Sequence, residues 1–251
     1  MTLQDIYEQL SYGELRQLFL SGNDIDDLDV SMSQDQFQRL LPSIQLGLTE
    51  LHKRFFLREG NIFVDLQPGK STYTLTKAFA QSNGRSKEPV KYIDDTTEPF
   101  TNNLFKVERV FGTYLEERYE IPLNERDNPN SLFTTSYNTL VVPNDPEKAL
   151  WLKETSRLDI RFRADHPEIQ KNRANAAPMS TEIYLPPTHL EALLFYIASR
   201  IHNPIGMTPG AMHEGNNYFQ RFMVSVEELK NQNYEIDDHA LESKLYDRGF
   251  V

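Results

Sequence analysis

The stretch Phe37–Leu75 reads FQRLLPSIQLGLTELHKRFFLREGNIFVDLQPGKSTYTL, and its period changes part-way along. Phe37, Leu41, Ile44, Leu48, Leu51 and Phe55 follow one another at gaps of 4, 3, 4, 3 and 4. That spacing puts six apolar side chains on one stripe of an α-helix, a seam that packs against other helices. Ser33 caps this helix and Asp35 sits in its first turn, where the helix dipole favours a carboxylate. Lys53, Arg54 and Arg58 enrich the far end, and Gly60 is the stop signal. Pro42 removes one backbone hydrogen bond, so a kink or restart is expected there. From Asn61 the pattern is that of strands. Ile62–Leu66 and Thr72–Leu75 flank Gln67-Pro68-Gly69-Lys70, which reads as a hairpin with a type I or II turn.

Before this stretch, Thr2 caps a short helix to Leu10, with Asp5 three residues on. Ser11 and Glu14 form a stronger box that opens a second helix carrying Leu15, Leu18 and Phe19, and an acidic loop, Asp24–Asp29, follows. After it, residues 81–103 read as a polar loop. Lys106–Phe111, Tyr119–Leu123, Thr139–Val142 and Leu158–Arg163 read as strands. In the last, Arg157, Asp159, Arg161 and Arg163 alternate with Leu158, Ile160 and Phe162, the mark of a strand with one wet face. Beyond Pro186-Pro187, Thr188 and Glu191 form a further box, and Leu190, Leu194, Ile197 and Ile201 make a seam. A last helix spans His213–Asn231, with Phe219, Phe222, Val226 and Leu229 on its face. The expected fold class is α+β. Residues 1–60 and 181–235 form a helical bundle core, 61–180 a β-rich insertion, and 236–251 an extended C-terminal tail.

Composition removes whole classes of function. The 251 residues contain no cysteine, which excludes disulfides, thiolate metal sites and a cysteine nucleophile. A formal charge of −11 argues against a protein that grips nucleic acid broadly. No secretory signal is expected at the N-terminus, and the longest apolar run, Ala192–Ala198, is too short to span a bilayer. A soluble protein made in a cytoplasm is expected.

Catalytic and metal motifs do not emerge. His52, His166, His189, His202, His213 and His239 lack the H-E-x-x-H spacing. The loop from Asp24 fails the calcium pattern, having Leu28 where a fifth-position oxygen is needed. Arg163-Ala164-Asp165-His166 groups a cation, a carboxylate and an imidazole but lacks a nucleophile in frame, and reads as a strand end closed by Pro167. Phosphate-binding glycine loops and a G-x-S-x-G elbow are absent. Catalytic, cofactor-binding and metal residues are therefore expected to be none. Most aromatic residues lie on helix seams or alternate in strands, whereas Tyr246 and Phe250 stand in a polar tail, which reads either as a docking peptide or as a segment that folds back on its own chain.

Several stretches together resemble the head-to-tail connector (adaptor) proteins of tailed bacteriophages. They are Leu41–Phe55, Phe162–Pro167, Leu185-Pro186-Pro187 leading into Glu191–Arg200, Glu214–Tyr218 and the ending Asp247–Val251. The resemblance implies a structural virion protein at the neck, assembled in the host cytoplasm, not an enzyme. It implies a ring, commonly of twelve copies, between the portal protein and the next tail component, a nozzle or tail-tube protein. DNA would pass the bore without sequence-specific binding, and no membrane is involved. The candidate portal-docking residues are Leu245, Tyr246, Asp247, Arg248, Gly249, Phe250 and Val251. The ring is expected to form on the portal, from a protein that is monomeric when isolated. Other readings are a tail-completion or baseplate component and, further off, a cell-wall hydrolase using Glu116 and Glu117.

Overall fold

The computed structural model describes residues 1–12, 34–143, 149–171, 177–202 and 209–232. The chain divides into two compact units: a split unit of Met1–Leu57 with His166–Val251, and a β unit of Arg58–Asp165. Each has its own apolar core.

The split unit holds four described helices: α1 (Leu3–Tyr12), α2 (Gln34–Arg54), α3 (Leu190–Ile201) and α4 (Pro209–Asn231). α1 starts as its residues dictate, because the Asp5 carboxylate accepts the Thr2 N–H at 2.7 Å and the Thr2 hydroxyl faces the Asp5 N–H at 3.4 Å. It runs on through buried Ser11 to Tyr12, and the second helix expected from the Ser11–Glu14 box lies outside the described residues. All six residues of the Phe37–Phe55 seam are buried. Burial of such side chains supplies about 1.5–3 kcal/mol each against exposure. α2 continues through Pro42, which faces solvent. α2 and α3 approach closely at Gly47, where a Cβ would lie 2.6 Å from Leu193 Cδ1 and 3.0 Å from Tyr196 Cδ1. α3 is entered by a 3-10 turn, Pro187–His189, and Thr188 bonds the His189 ring at 3.0 Å instead of capping the helix.

The segment after His166 belongs to this unit because two glutamines of α2 hold it. Gln45 Oε1 accepts the Ile169 N–H at 3.0 Å. Gln38 Oε1 accepts the Ala177 N–H at 2.8 Å, and its Nε2 donates to the Ala177 carbonyl at 3.3 Å. The N-terminus pairs with 179–183 through Leu3 N–H to Thr181, Gln4 N–H to Met179 and Ile183 N–H to Met1.

The described residues of the β unit form eight strands: β1 (Glu59–Asp65), β2 (Thr72–Thr74), β3 (Ile93–Asp94), β4 (Leu104–Tyr114), β5 (Glu117–Ile121), β6 (Phe133–Ser136), β7 (Thr139–Val141) and β8 (Arg157–Ala164). They form a five-stranded sheet in the order β3-β1-β8-β4-β5 and a three-stranded sheet in the order β2-β7-β6. All pairings are antiparallel. Ile62, Val64, Val107, Val110, Leu158, Ile160 and Phe162 fill its core beside Tyr73, Tyr92 and Trp151. Gly60 is a close-approach residue within β1, not a helix stop: a Cβ there would meet the Phe162 ring at 2.3 Å. The loop before β4 is organised by Asp95, which accepts from Ser82 N–H at 2.9 Å, Ser82 O–H at 2.5 Å and Phe100 N–H at 2.8 Å. Burial opposes its ionisation, but these donors outweigh burial and hold its pKa below the usual carboxylate value.

The expected helical bundle core interrupted by a β-rich insertion is corrected by this architecture, and the expected extended tail, 236–251, lies outside the described residues. Eight strands in two antiparallel sheets stand against four helices among the described residues, and the sheets carry a core of their own. Strands of two or three residues, such as β3 and β2, are too short to show a period, so sequence patterning undercounts the sheets. The turn at Pro68-Gly69 is a further correction. It closes with Lys70 N–H to the Gln67 carbonyl at 3.1 Å and Gly69 at φ 75°, as a type II turn requires. It is no hairpin, because β1 and β2 belong to different sheets.

Candidate interaction surfaces

The wet face of β8 is a closed ion-pair ladder. Arg157 binds Asp65 at 2.7 Å and Asp94 at 3.1 Å. Arg161 binds Glu59 at 2.6 Å, and Arg163 binds Glu108 at 3.0 Å. Arg118 binds Asp159 at 2.7 Å, and Arg109 holds Glu120 through two bonds of 2.9 and 2.6 Å. Phe111 is stacked between Arg118, 3.8 Å from its centroid, and Arg109, at 5.3 Å. Hydrogen bonds from Thr96, then the Arg157 charge, hold the Asp94 carboxyl below its ordinary value. Such half-exposed pairs add little stability singly. Their chief effect is to commit the cations of this face, which suits a surface that does not collect polyanions.

The outward side of α4 differs. Phe222, Ser225, Val226 and Leu229 point inward, whereas Phe219, Met223 and Val224 are 46%, 43% and 56% exposed. Phe219 thus leaves the face its spacing assigns to it. Charge is unevenly shared as well. The split unit carries 20 acidic and 11 basic residues, the β unit 17 and 15.

Three buried histidines gather in the split unit. The His52 and His166 rings meet edge to face at 5.4 Å. His52 Nε2 donates to the Tyr184 carbonyl at 2.9 Å, while His166 Nε2 accepts the Tyr184 N–H at 3.1 Å. A peptide N–H needs an acceptor, so the His166 proton sits on Nδ1 and is given to the Pro167 carbonyl at 2.7 Å. One residue's backbone is therefore held by two imidazoles. His189 packs on Phe55 at 4.7 Å, and burial, then the nearby His52, lowers its pKa from 6.5. His202 stacks on Tyr218 at the end of α3. His213 lies in α4, and His239 lies outside the described residues.

At the end of the β4–β5 hairpin a pocket of about 100 Å³ is lined by Tyr114, Tyr119, Asn130 and Trp151. The two tyrosine rings are 5.9 Å apart and inclined at 58°. Trp151 Nε1–H is taken by the Asn130 carbonyl at 2.9 Å. Leu115 and Glu116 make the turn with φ of 51° and 63°, and the Glu154 carboxylate accepts the Leu115 N–H. Sequence reading missed this pocket. Its turn lacks the Asn-Gly signal, and only pairing across the hairpin, with Tyr119 opposite Gly112, brings Tyr119 beside Tyr114.

The chemical candidates suggested by the sequence disperse. Arg163 is drawn to Glu108, whereas the His166 ring is engaged by Tyr184 and Pro167. Glu116 and Glu117 are exposed at the hairpin turn. No group of three metal-ligating side chains and no helix long and apolar enough to cross a membrane occurs among the described residues. The acidic loop Asp24–Asp29 and the docking residues Leu245–Val251 lie outside them. Compared with known proteins, the chain matches no family model and no curated sequence.

Proposed function

We propose that this chain is a structural virion protein, a subunit of a head-to-tail connector ring that joins a portal to the tail and lets DNA pass. The observation that carries the reading is where the resembling stretches lie. Leu41–Phe55 forms most of α2, Leu185–Arg200 leads into and fills α3, Glu214–Tyr218 lies in α4, and His166 packs on His52. The stretches in α2, α3 and α4 thus share one core, while Phe162 and Ala164 of a further stretch belong to the core of the β unit. α4, which carries one of these stretches, turns Phe219, Met223 and Val224 to solvent. In the ring these residues pack against the neighbouring copy. The acidic surplus of the split unit faces the bore, where it repels phosphate and keeps DNA from adhering. Leu245–Val251 docks on the portal, and the chain performs no catalysis. Light scattering of the protein alone and mixed with portal tests this. The expected result is a monomer alone and a discrete larger complex on mixing; no association in the mixture overturns it.

A further inference from the structure

We propose that the pocket at the end of the β4–β5 hairpin binds a lysine side chain presented by a partner protein. Its walls are the rings of Tyr114 and Tyr119, and Trp151 and Asn130 complete the lining. Trp151 has given its only N–H to Asn130, so its indole offers the pocket ring surface and no donor. Aromatic faces are the negative side of the ring quadrupole and attract ammonium groups. Carboxylates stand beside the site. Glu116 and Glu117 form and follow the turn directly after Tyr114, and Glu154 is fixed there by the Leu115 N–H. All three are exposed, so a cation arriving from solvent meets them first. Arg118, the cation nearest in the hairpin, is committed to Phe111 and Asp159.

The β unit itself shows how its rings are used. The Lys70 ammonium lies 4.1 Å from the Tyr92 centroid, with Phe79 at 5.2 Å and Tyr73 at 5.6 Å. Arg118 covers Phe111, and Arg157 covers Phe63 at 5.6 Å. Among the described residues, no Lys or Arg covers Tyr114, Tyr119 or Trp151. The hairpin pocket is thus an aromatic cluster of the same make, bordered by carboxylates, on which the described residues place no cation. At about 100 Å³ it has room for an ammonium with its last methylenes.

Trp151 is the only tryptophan, so its emission reports the pocket directly. The full-length protein is titrated with the tripeptide Gly-Lys-Gly, blocked at both ends, and with the same peptide acetylated on the lysine Nζ. The expected result is a saturable change in Trp151 emission, with the acetylated peptide binding about tenfold more weakly, the ratio that loss of a cation–π contact gives. The exposed variant Glu116→Gln/Glu117→Gln/Glu154→Gln weakens binding of the lysine peptide several-fold without altering the far-ultraviolet spectrum. Tyr119→Ala abolishes the response, and Tyr119→Phe, which keeps the ring and the fold, retains it. Equal binding of the two peptides would mark an apolar pocket and overturn the proposal. So would no saturable response, or an unchanged affinity in the triple glutamine variant.

Discussion

At the residue scale, buried His189 makes the split unit sensitive to acid. The pKa of His189 is lowered by burial and then by His52. The unfolded chain therefore takes up this proton near pH 6.5, while the folded chain resists it to a lower pH. The contribution to stability is complete above pH 6.5 and is lost as pH falls toward and through the folded value. Urea midpoints measured at pH 7.5, 6.5 and 5.5 are expected to fall across that series, and His189→Gln to flatten the fall. An identical profile in the variant would assign the acid sensitivity elsewhere. None of this was legible in the sequence, where His52, His166 and His189 stand far apart and only the return of the chain after β8 joins them. Gly60 teaches the same lesson. As punctuation it reads as a helix stop, yet its role is to lie under the Phe162 ring, a contact across 102 positions of sequence.

At the element scale, long helices declared themselves and turns did not. The α2 seam was readable because six apolar residues keep one period, and all six are buried. The β4–β5 turn was not, because Leu115 and Glu116 occupy the left-handed region that Asn and Gly normally fill. Left-handed backbone costs an ordinary residue on the order of 1 kcal/mol. Leu115→Asn with Glu116→Gly is therefore expected to raise unfolding stability by about 1 kcal/mol, read from urea denaturation. A loss of stability would show that the Leu115 side chain, 68% exposed, contributes more than the turn costs. On α4 the helical period selects a face but misassigns Phe219, because Phe222 takes the inward place against Tyr196 and Arg54. Phe219→Ser with Met223→Ser should leave the circular dichroism spectrum and midpoint within about 0.5 kcal/mol, as exposed substitutions do. The same variant should lose ring assembly on the portal in sedimentation. Retained assembly would remove α4 from the proposed subunit contact.

At the scale of the whole molecule, charge and architecture say more together than apart. The net −11 argues against broad nucleic acid binding, and its division places most of the surplus in the split unit and leaves the β unit close to balance. A balanced ladder on β8 and an acidic split unit suit a protein that meets other proteins and lets DNA slide past. The sequence also indicated a switch from helices to strands and back. It did not reveal that the strands close on a core of their own, because sheet pairing is non-local and β8 reaches back 92 positions to set Arg157 on Asp65. The most direct test of the central claim is electron microscopy of the purified protein incubated with portal. The expected image is a rotationally symmetric ring coaxial with the portal, absent when Leu245–Val251 is deleted from an otherwise folded chain. Bare portals beside unassembled protein, with the full-length chain present in excess, would contradict the connector role.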